Sequence, residues 1–181
     1  MIEIRWHGRG GQGAVTSAEL LAMAAIIEGK YAVAIPYFGA ERRGAPVIAY
    51  NRISNKPIRI RSNIRNPDYV VVLDPLLGKF INIYKGLKKN GTIVINTVSP
   101  MIRDHRVAYV DATAIALKIG LVGGGIPIVN TAMLGALIKI SNLVSINSIV
   151  EAIENKWRGE VAERNIKAVV EAYNSTKIKG E

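Results

Sequence analysis

The sequence predicts a single α/β domain over residues 1–181. It should have a mixed, mostly parallel sheet with flanking helices, a Rossmann-like start and a helical C-terminal segment. Three observations carry this. Strand-type and helix-type stretches alternate through the first two thirds of the chain, as layered α/β folds require. "YVVVLD" (69–74) is short and continuously apolar, the pattern of a strand covered on both faces. From Asn130 onward helical periodicity recurs in three blocks with no strand pattern between them.

Taken in order, "IEIRW" (2–6) alternates as a strand. From Gln12 to Glu28 apolar and small residues recur at helical spacing, and Gly29 is placed to stop the helix. "YAVAIPY" (31–37) reads as a second strand. "PVIAYNRIS" (46–54) and "PIRIRS" (57–62) are predicted to pair as a hairpin across "SNKP", with Pro57 at an edge. After "YVVVLD", a helix is expected to end at Asn90-Gly91, before the strand "TIVIN" (92–96). "RVAYV" (106–110) is another strand, and Asp111 is the expected N-cap of the helix "ATAIALKIG". Turns near 141–147 and at Arg158-Gly159 divide the last three helices.

Composition narrows the chemistry. The chain is 49% hydrophobic and 21% charged, which is globular composition. It has no cysteine, so it brings no thiol nucleophile and no thiolate ligand for an iron–sulfur cluster. Its two histidines, His7 and His105, stand in no metal-ligand spacing, and a metalloenzyme built from this chain alone is not expected. No apolar run approaches the roughly 20 residues of a membrane-spanning helix. The N-terminus opens directly on a strand pattern rather than on a secretion signal, so a cytoplasmic location is expected.

The net charge is +10, and from Arg42 to Arg65 there are seven Lys and Arg and no acid. Such a run attracts nucleic acid, an acidic protein or a phosphorylated cofactor. It equally suits the solvated face of a heat-adapted protein, given the many Ile and Lys and the single glutamine, Gln12.

The densest motif is "HGRGGQGAVTS" (7–17), where Gly8, Gly10 and Gly13 fit G-x-G-x-x-G between a strand and a helix. The dinucleotide fingerprint also needs an acid about 20 residues on to hold the ribose. At the end of the next strand, in "YAVAIPYFG", no acid occurs until Glu41, so NAD is disfavoured. A P-loop needs Gly-Lys-Ser/Thr, and this loop ends Gly13-Ala14-Val15, so ATP is disfavoured too. Two readings stay open: an anion site of backbone N–H groups beside Arg9, or a tight turn for helix–sheet packing.

The second motif is "FGAERRGAPV" (38–47), a loop with Glu41, Arg42 and Arg43 side by side. It reads as a fork for phosphate or carboxylate, as an exposed polar loop, or as a subunit contact. His7 could bond an anion, though fixing the strand–turn backbone is the preferred role. Asp74 lies at the carboxyl end of an apolar strand, where it could serve a site or cap the turn at Pro75. Tyr37 and Phe38 are read as core or interface, and Asp68 and Asp111 as caps. No Ser–His–Asp set has a defensible spacing.

Together and in this order, "GRGGQGAVTSAELLAMAA", "PYFGAERRGAPVIAYNRIS", "PDYVVVLDP", "GLKKNGTIVIN", "VDATAIA" and "NTAMLGA" resemble the gamma subunit of pyruvate:ferredoxin oxidoreductases. The likeness spans about residues 1 to 140, and the arginine loop favours the pyruvate or branched-chain 2-oxoacid branch. The resemblance implies CoA-dependent oxidative decarboxylation of a 2-oxoacid, giving acyl-CoA, carbon dioxide and reduced ferredoxin. It implies alpha, beta and delta partner subunits, with ferredoxin as electron acceptor. Thiamine diphosphate, magnesium and 4Fe–4S clusters would reside in those partners, and no catalytic residue in this chain. Gly8, Arg9, Gly10, Gly11, Gln12 and Gly13, with Arg42 and Arg43, are carried over as coenzyme A-binding positions. Phe38, Gly39, Glu41, Gly44 and Pro46 are carried over as interface positions. A basic nucleic-acid-binding module is the alternative, against which stand the absence of a recognisable binding motif and the sparse aromatics of the 42–65 run.

Overall fold

The computed structural model describes residues 1–37 and 44–179. Strands are β1 (Ile2–Arg9), β2 (Tyr31–Tyr37), β3 (Pro46–Ser54), β4 (Tyr69–Val72), β5 (Thr92–Asn96), β6 (Arg106–Val110), the short pair β7 (Val122–Gly123) and β8 (Ile126–Pro127), and β9 (Lys177–Ile178). Helices are α1 (Ala14–Ile27), α2 (Ala112–Ile119), α3 (Asn130–Ser141), α4 (Ile146–Lys156) and α5 (Gly159–Ser175). The main sheet has seven strands in the order β2-β3-β1-β4-β5-β6-β9. β1, β4, β5 and β6 form a parallel centre. β3 is antiparallel to both β1 and β2, so β2 shares the direction of the central strands, and β9 closes the far edge antiparallel to β6.

The alternating strands put two different chemistries on the two sheet faces. Ile4, Trp6, Ala49, Ile53, Val71 and Val94 point to the helical side and join one core with the buried residues of all five helices. There Trp6 is fully buried and donates its indole N–H to Asn51 Oδ1 at 2.8 Å. α1 is apolar all round because it is packed by β2, β3, α3 and α4. α3 is buried from Asn130 to Ile138, wedged between α5 and the sheet. A Cβ on its Gly135 would run into the Val169 carbonyl oxygen, so glycine sets how closely α5 approaches.

Val70, Val72, Ile93, Ile95 and Val107 line the opposite face and are covered by Leu77, Ile81, Ile83, Tyr84, Leu87 and Ile102. The continuous apolar strand was therefore a sound sign of a doubly covered sheet. Its second cover, however, is not the expected helix ending at Asn90-Gly91. Between β4 and β5 the chain makes a 3-10 turn (Pro75–Lys79) followed by tight turns. Pro75 opens the 3-10 turn at its first position, and the positive-φ Gly86 (φ 77) breaks helical continuity further on. The buried Arg5 also takes the Ile83 and Lys85 carbonyls, at 3.0 and 2.7 Å, for its own Nη2 donor.

The expected hairpin partner at 57–62 is likewise not a strand. Arg52 explains why. From β3 it pairs through Nε with Glu3 (2.8 Å) and donates through Nη1 to the Ile60 (3.3 Å) and Ser62 (2.7 Å) carbonyls. The backbone that would have made ladder bonds is held by a guanidinium instead. Asp68 is not a helix cap: it accepts the Glu3 N–H at 2.8 Å and pairs with Lys88. Asp111 does cap α2, accepting the Ala114 N–H at 2.9 Å. The three C-terminal helices and their turns lie where expected, with Ser145 capping α4 through the Ser148 N–H.

Candidate functional site at the carboxyl edge of the sheet

In open α/β sheets ligands collect outside the carboxyl ends of the strands, where the strand order reverses. Here that point lies between β1 and β4. From β1 the chain departs through α1 to β2 and β3 on one side, and the sheet continues through β4 on the other. The glycine loop and Asp74 end those two strands.

The loop owes its shape to backbone needs that only glycine meets. Gly11 (φ 99) and Gly13 (φ 82) are left-handed. A Cβ on Gly13 would stand 2.8 Å from Asn130 Nδ2, far inside contact. Gln12 folds back so that its Oε1 accepts the Arg9 N–H at 2.7 Å, while its own N–H reaches the Arg9 carbonyl at 3.0 Å. The Gly10 N–H donates to the Ala45 carbonyl at 2.9 Å and the Gly44 N–H to the Gly10 carbonyl at 3.2 Å. Three loop N–H groups are thus already used. The first turn of α1 follows directly, its N–H groups without a preceding helical carbonyl and at the positive end of the helix dipole.

Arg9 crosses the switch point. Its Nε pairs with Asp74 Oδ2, its Nη1 donates to the Gly44 carbonyl at 3.2 Å, and its guanidinium carbon lies 5.9 Å from the Phe80 ring centroid. Asp74 does both things weighed for it, since its other oxygen accepts the Leu76 N–H and caps the turn at Pro75. Among the described residues the guanidinium is thus held from two sides, by a carboxylate at Nε and a carbonyl at Nη1.

The two motifs adjoin. Gly44 and Pro46 stand beside the glycine loop, the latter paired with Arg9 across β1 and β3. Phe38, Gly39, Glu41, Arg42 and Arg43 lie outside the described residues.

His7 does not line the crevice. It is 3% exposed under the second cover, where its Nε2 accepts from Arg5 Nε at 3.0 Å. Burial, and after it the adjacent Arg5 charge, push its pKa down to about 4, with an opposing pull from the Ile83 carbonyl.

Two asparagines escaped the sequence reading. Asn96, at the end of β5, donates to the Leu73 carbonyl and to Thr113 Oγ1, both at 2.9 Å, and accepts the Thr113 N–H at 3.2 Å. This ties β4, β5 and α2 together at the site's floor. Asn130 opens α3 against Gly13 and is 3% exposed, and among the described residues its Oδ1 has no hydrogen-bond partner. Its carbonyl accepts from Ser17 Oγ at 3.1 Å. The available signal was a polar residue closing an apolar strand in "TIVIN" and opening an apolar helix in "NTAMLGA".

Fold and site together define an α/β chain with a candidate binding crevice at its topological switch point, where the glycine loop, Arg9 and Asp74 meet. Among the described residues no nucleophile–base pair points into that crevice, and no group of three or more His, Cys, Asp or Glu is placed to hold a metal ion. Residues 3–175 match the family model described as pyruvate ferredoxin/flavodoxin oxidoreductase. The chain is 51% identical to the common gamma subunit of the pyruvate/ketoisovalerate oxidoreductases of Pyrococcus furiosus, over 98% of each chain. It is 50% identical to pyruvate synthase subunit PorC of Methanocaldococcus jannaschii, over 96% of each. The crystal structure of pyruvate oxidoreductase subunit PORC from Thermotoga maritima superposes with a TM-score of 0.84 at 36% identity, covering 98% of both chains. The chain belongs to the pyruvate ferredoxin/flavodoxin oxidoreductase family, as a subunit of the gamma type.

Proposed function

We propose that this chain supplies one wall of the coenzyme A site, and a subunit-packing surface, in a cytoplasmic pyruvate (2-oxoacid):ferredoxin oxidoreductase. The complex converts pyruvate and coenzyme A to acetyl-CoA and carbon dioxide and reduces ferredoxin. Thiamine diphosphate with magnesium supplies the decarboxylating carbon nucleophile, and 4Fe–4S clusters carry the electrons, in alpha, beta and delta subunits.

The observation that carries the reading is the arrangement at the switch point. An α1 N-terminus behind a glycine loop, Arg9 braced by Asp74, and the base of the arginine loop all meet there. A diphosphate suits it, because the positive end of the α1 dipole lies beside the Arg9 cation. Arg9 orients one phosphate while Asp74 and the Gly44 carbonyl keep its guanidinium from swinging. Arg42 and Arg43 grip a further phosphate of the same molecule. Gln12 keeps the cradle open by satisfying the Arg9 N–H from within. Phe38, Gly39, Glu41, Gly44 and Pro46 pack on a neighbouring subunit.

The test uses the assembled complex. Arg42→Ala with Arg43→Ala is expected to raise the apparent KM for coenzyme A about tenfold or more with kcat little changed, as for loss of charge-assisted phosphate contacts. Unchanged coenzyme A kinetics together with a lost complex would assign the loop to assembly alone.

A further inference from the structure

The sheet face opposite the helices is covered by three irregular segments, residues 55–67, 75–91 and 97–105. They are fixed as one surface. Arg52 holds the first through the Ile60 and Ser62 carbonyls, and Arg5 holds the second through Ile83 and Lys85. A Cβ on Gly86 would strike the Arg65 carbonyl oxygen, so these two segments abut, and Ile102 anchors the third on the same apolar layer.

These segments hold nine Lys and Arg against the single acid Asp104, a net +8 of the chain's +10. All nine cations are exposed. Among the described residues only Lys88 has an ion-pair partner, Asp68. The helical side is different in kind: α4 and α5 carry Glu151, Glu154, Glu160, Glu163 and Glu171 against Lys156, Arg164 and Lys167. Large apolar side chains stand exposed among the cations, Phe80 at 72%, Val98 at 73% and Met101 at 92%.

We infer that this face docks a carboxylate-rich surface of another subunit of the same oxidoreductase. The inference rests on reading the chain as one subunit of a complex, and it adds a second contact surface to the loop at 38–46. Packed cations repel one another unless a partner offsets them, and apolar groups within a charged rim are the make-up of a protein interface. Forked guanidiniums such as Arg59, Arg61 and Arg103 match carboxylates two bonds at a time. A nucleic acid fits less well. Strand binding without a groove-reading motif relies on successive stacking platforms, and Phe80 is the one exposed aromatic ring in the three segments.

The assembled complex tests this through two variants of equal charge change, Lys89→Glu with Arg103→Glu on this face and Arg158→Glu with Lys167→Glu on the helical side. All four residues are exposed, and circular dichroism checks that each variant folds. The first pair is expected to weaken retention of the chain in the complex at least about tenfold, increasingly with salt, and the second by less than about twofold. Zero-length carbodiimide coupling of the wild-type complex should join Lys79, Lys85 or Lys89 to Asp or Glu of another subunit, a readout that stands even where a variant fails to fold. Equal effects of the two pairs, couplings confined to helical-side lysines, or tight binding of duplex DNA with the complex unaffected would each overturn the inference. A wild-type chain that assembles with no oxidoreductase subunit would instead overturn the proposed function itself.

Discussion

Gly13 shows how far single residues set this site. It needs a left-handed backbone (φ 82), and its Cα faces Asn130 with no room for a Cβ. Gly13→Ala is therefore expected to cost about 1–3 kcal/mol of unfolding free energy, measured by denaturant titration. The same substitution at Gly29, also left-handed (φ 74) but with nothing within 4 Å of a Cβ, should lie at the lower end. His7 makes the second prediction at this scale. Its folded pKa is depressed from 6.5 to about 4. The unfolded chain consequently binds the proton first, and stability falls as pH drops from 6.5 towards 4. The loss is expected to reach about 3 kcal/mol by the low end of that window. His7→Gln, which keeps an acceptor for Arg5, should flatten this part of the stability–pH curve.

At the scale of elements, the second sheet cover is organised by side chains rather than by backbone periodicity. Arg52 is 3% exposed and satisfies Glu3 and two carbonyls at once. Arg52→Ala should destabilise the chain by about 3 kcal/mol, since it leaves buried partners unpaired. Amide exchange should accelerate most across residues 55–67. Arg52→Lys should rescue little, because one ammonium cannot span a carboxylate and two separate carbonyls. This also explains why two stretches looked like regular elements in the sequence and are not. "PIRIRS" alternates as a strand does, and "GLKKN" ends as a helix does, yet in both segments the decisive bonds come from a buried arginine outside the segment, Arg52 on β3 and Arg5 on β1. By contrast α4 and α5 each show one buried stripe and end at evident caps or turns, so their pattern alone located them.

The whole molecule joins a helical layer of mixed charge, a sheet, and a strongly basic irregular layer, with the candidate site on the edge between them. No helix among the described residues is long and apolar enough to cross a membrane. As a subunit of the gamma type, the chain is proposed to act only within its assembled complex. Purified alone it is expected to show no pyruvate- and coenzyme A-dependent reduction of ferredoxin, and the complex should regain that activity when the chain is added back. Activity of the isolated chain would refute the division of labour proposed above.

The amino-acid sequence by itself determined the fold class, the doubly covered central strands, the C-terminal helices, the glycine loop and the family. Those features are local: hydrophobic period, caps, glycine spacing and motif order are all written within a few neighbouring residues. The tertiary structure alone decided that Arg9 is braced by Asp74 and that Asn130 closes on Gly13. It also decided that His7 is sealed away from the crevice, and that Arg5 and Arg52 replace a helix and a strand. Most of these join positions far apart in the chain, such as Arg9 with Asp74 and Gly13 with Asn130, and the others depend on which sheet face a strand residue takes, so they exist only once the strands are in register.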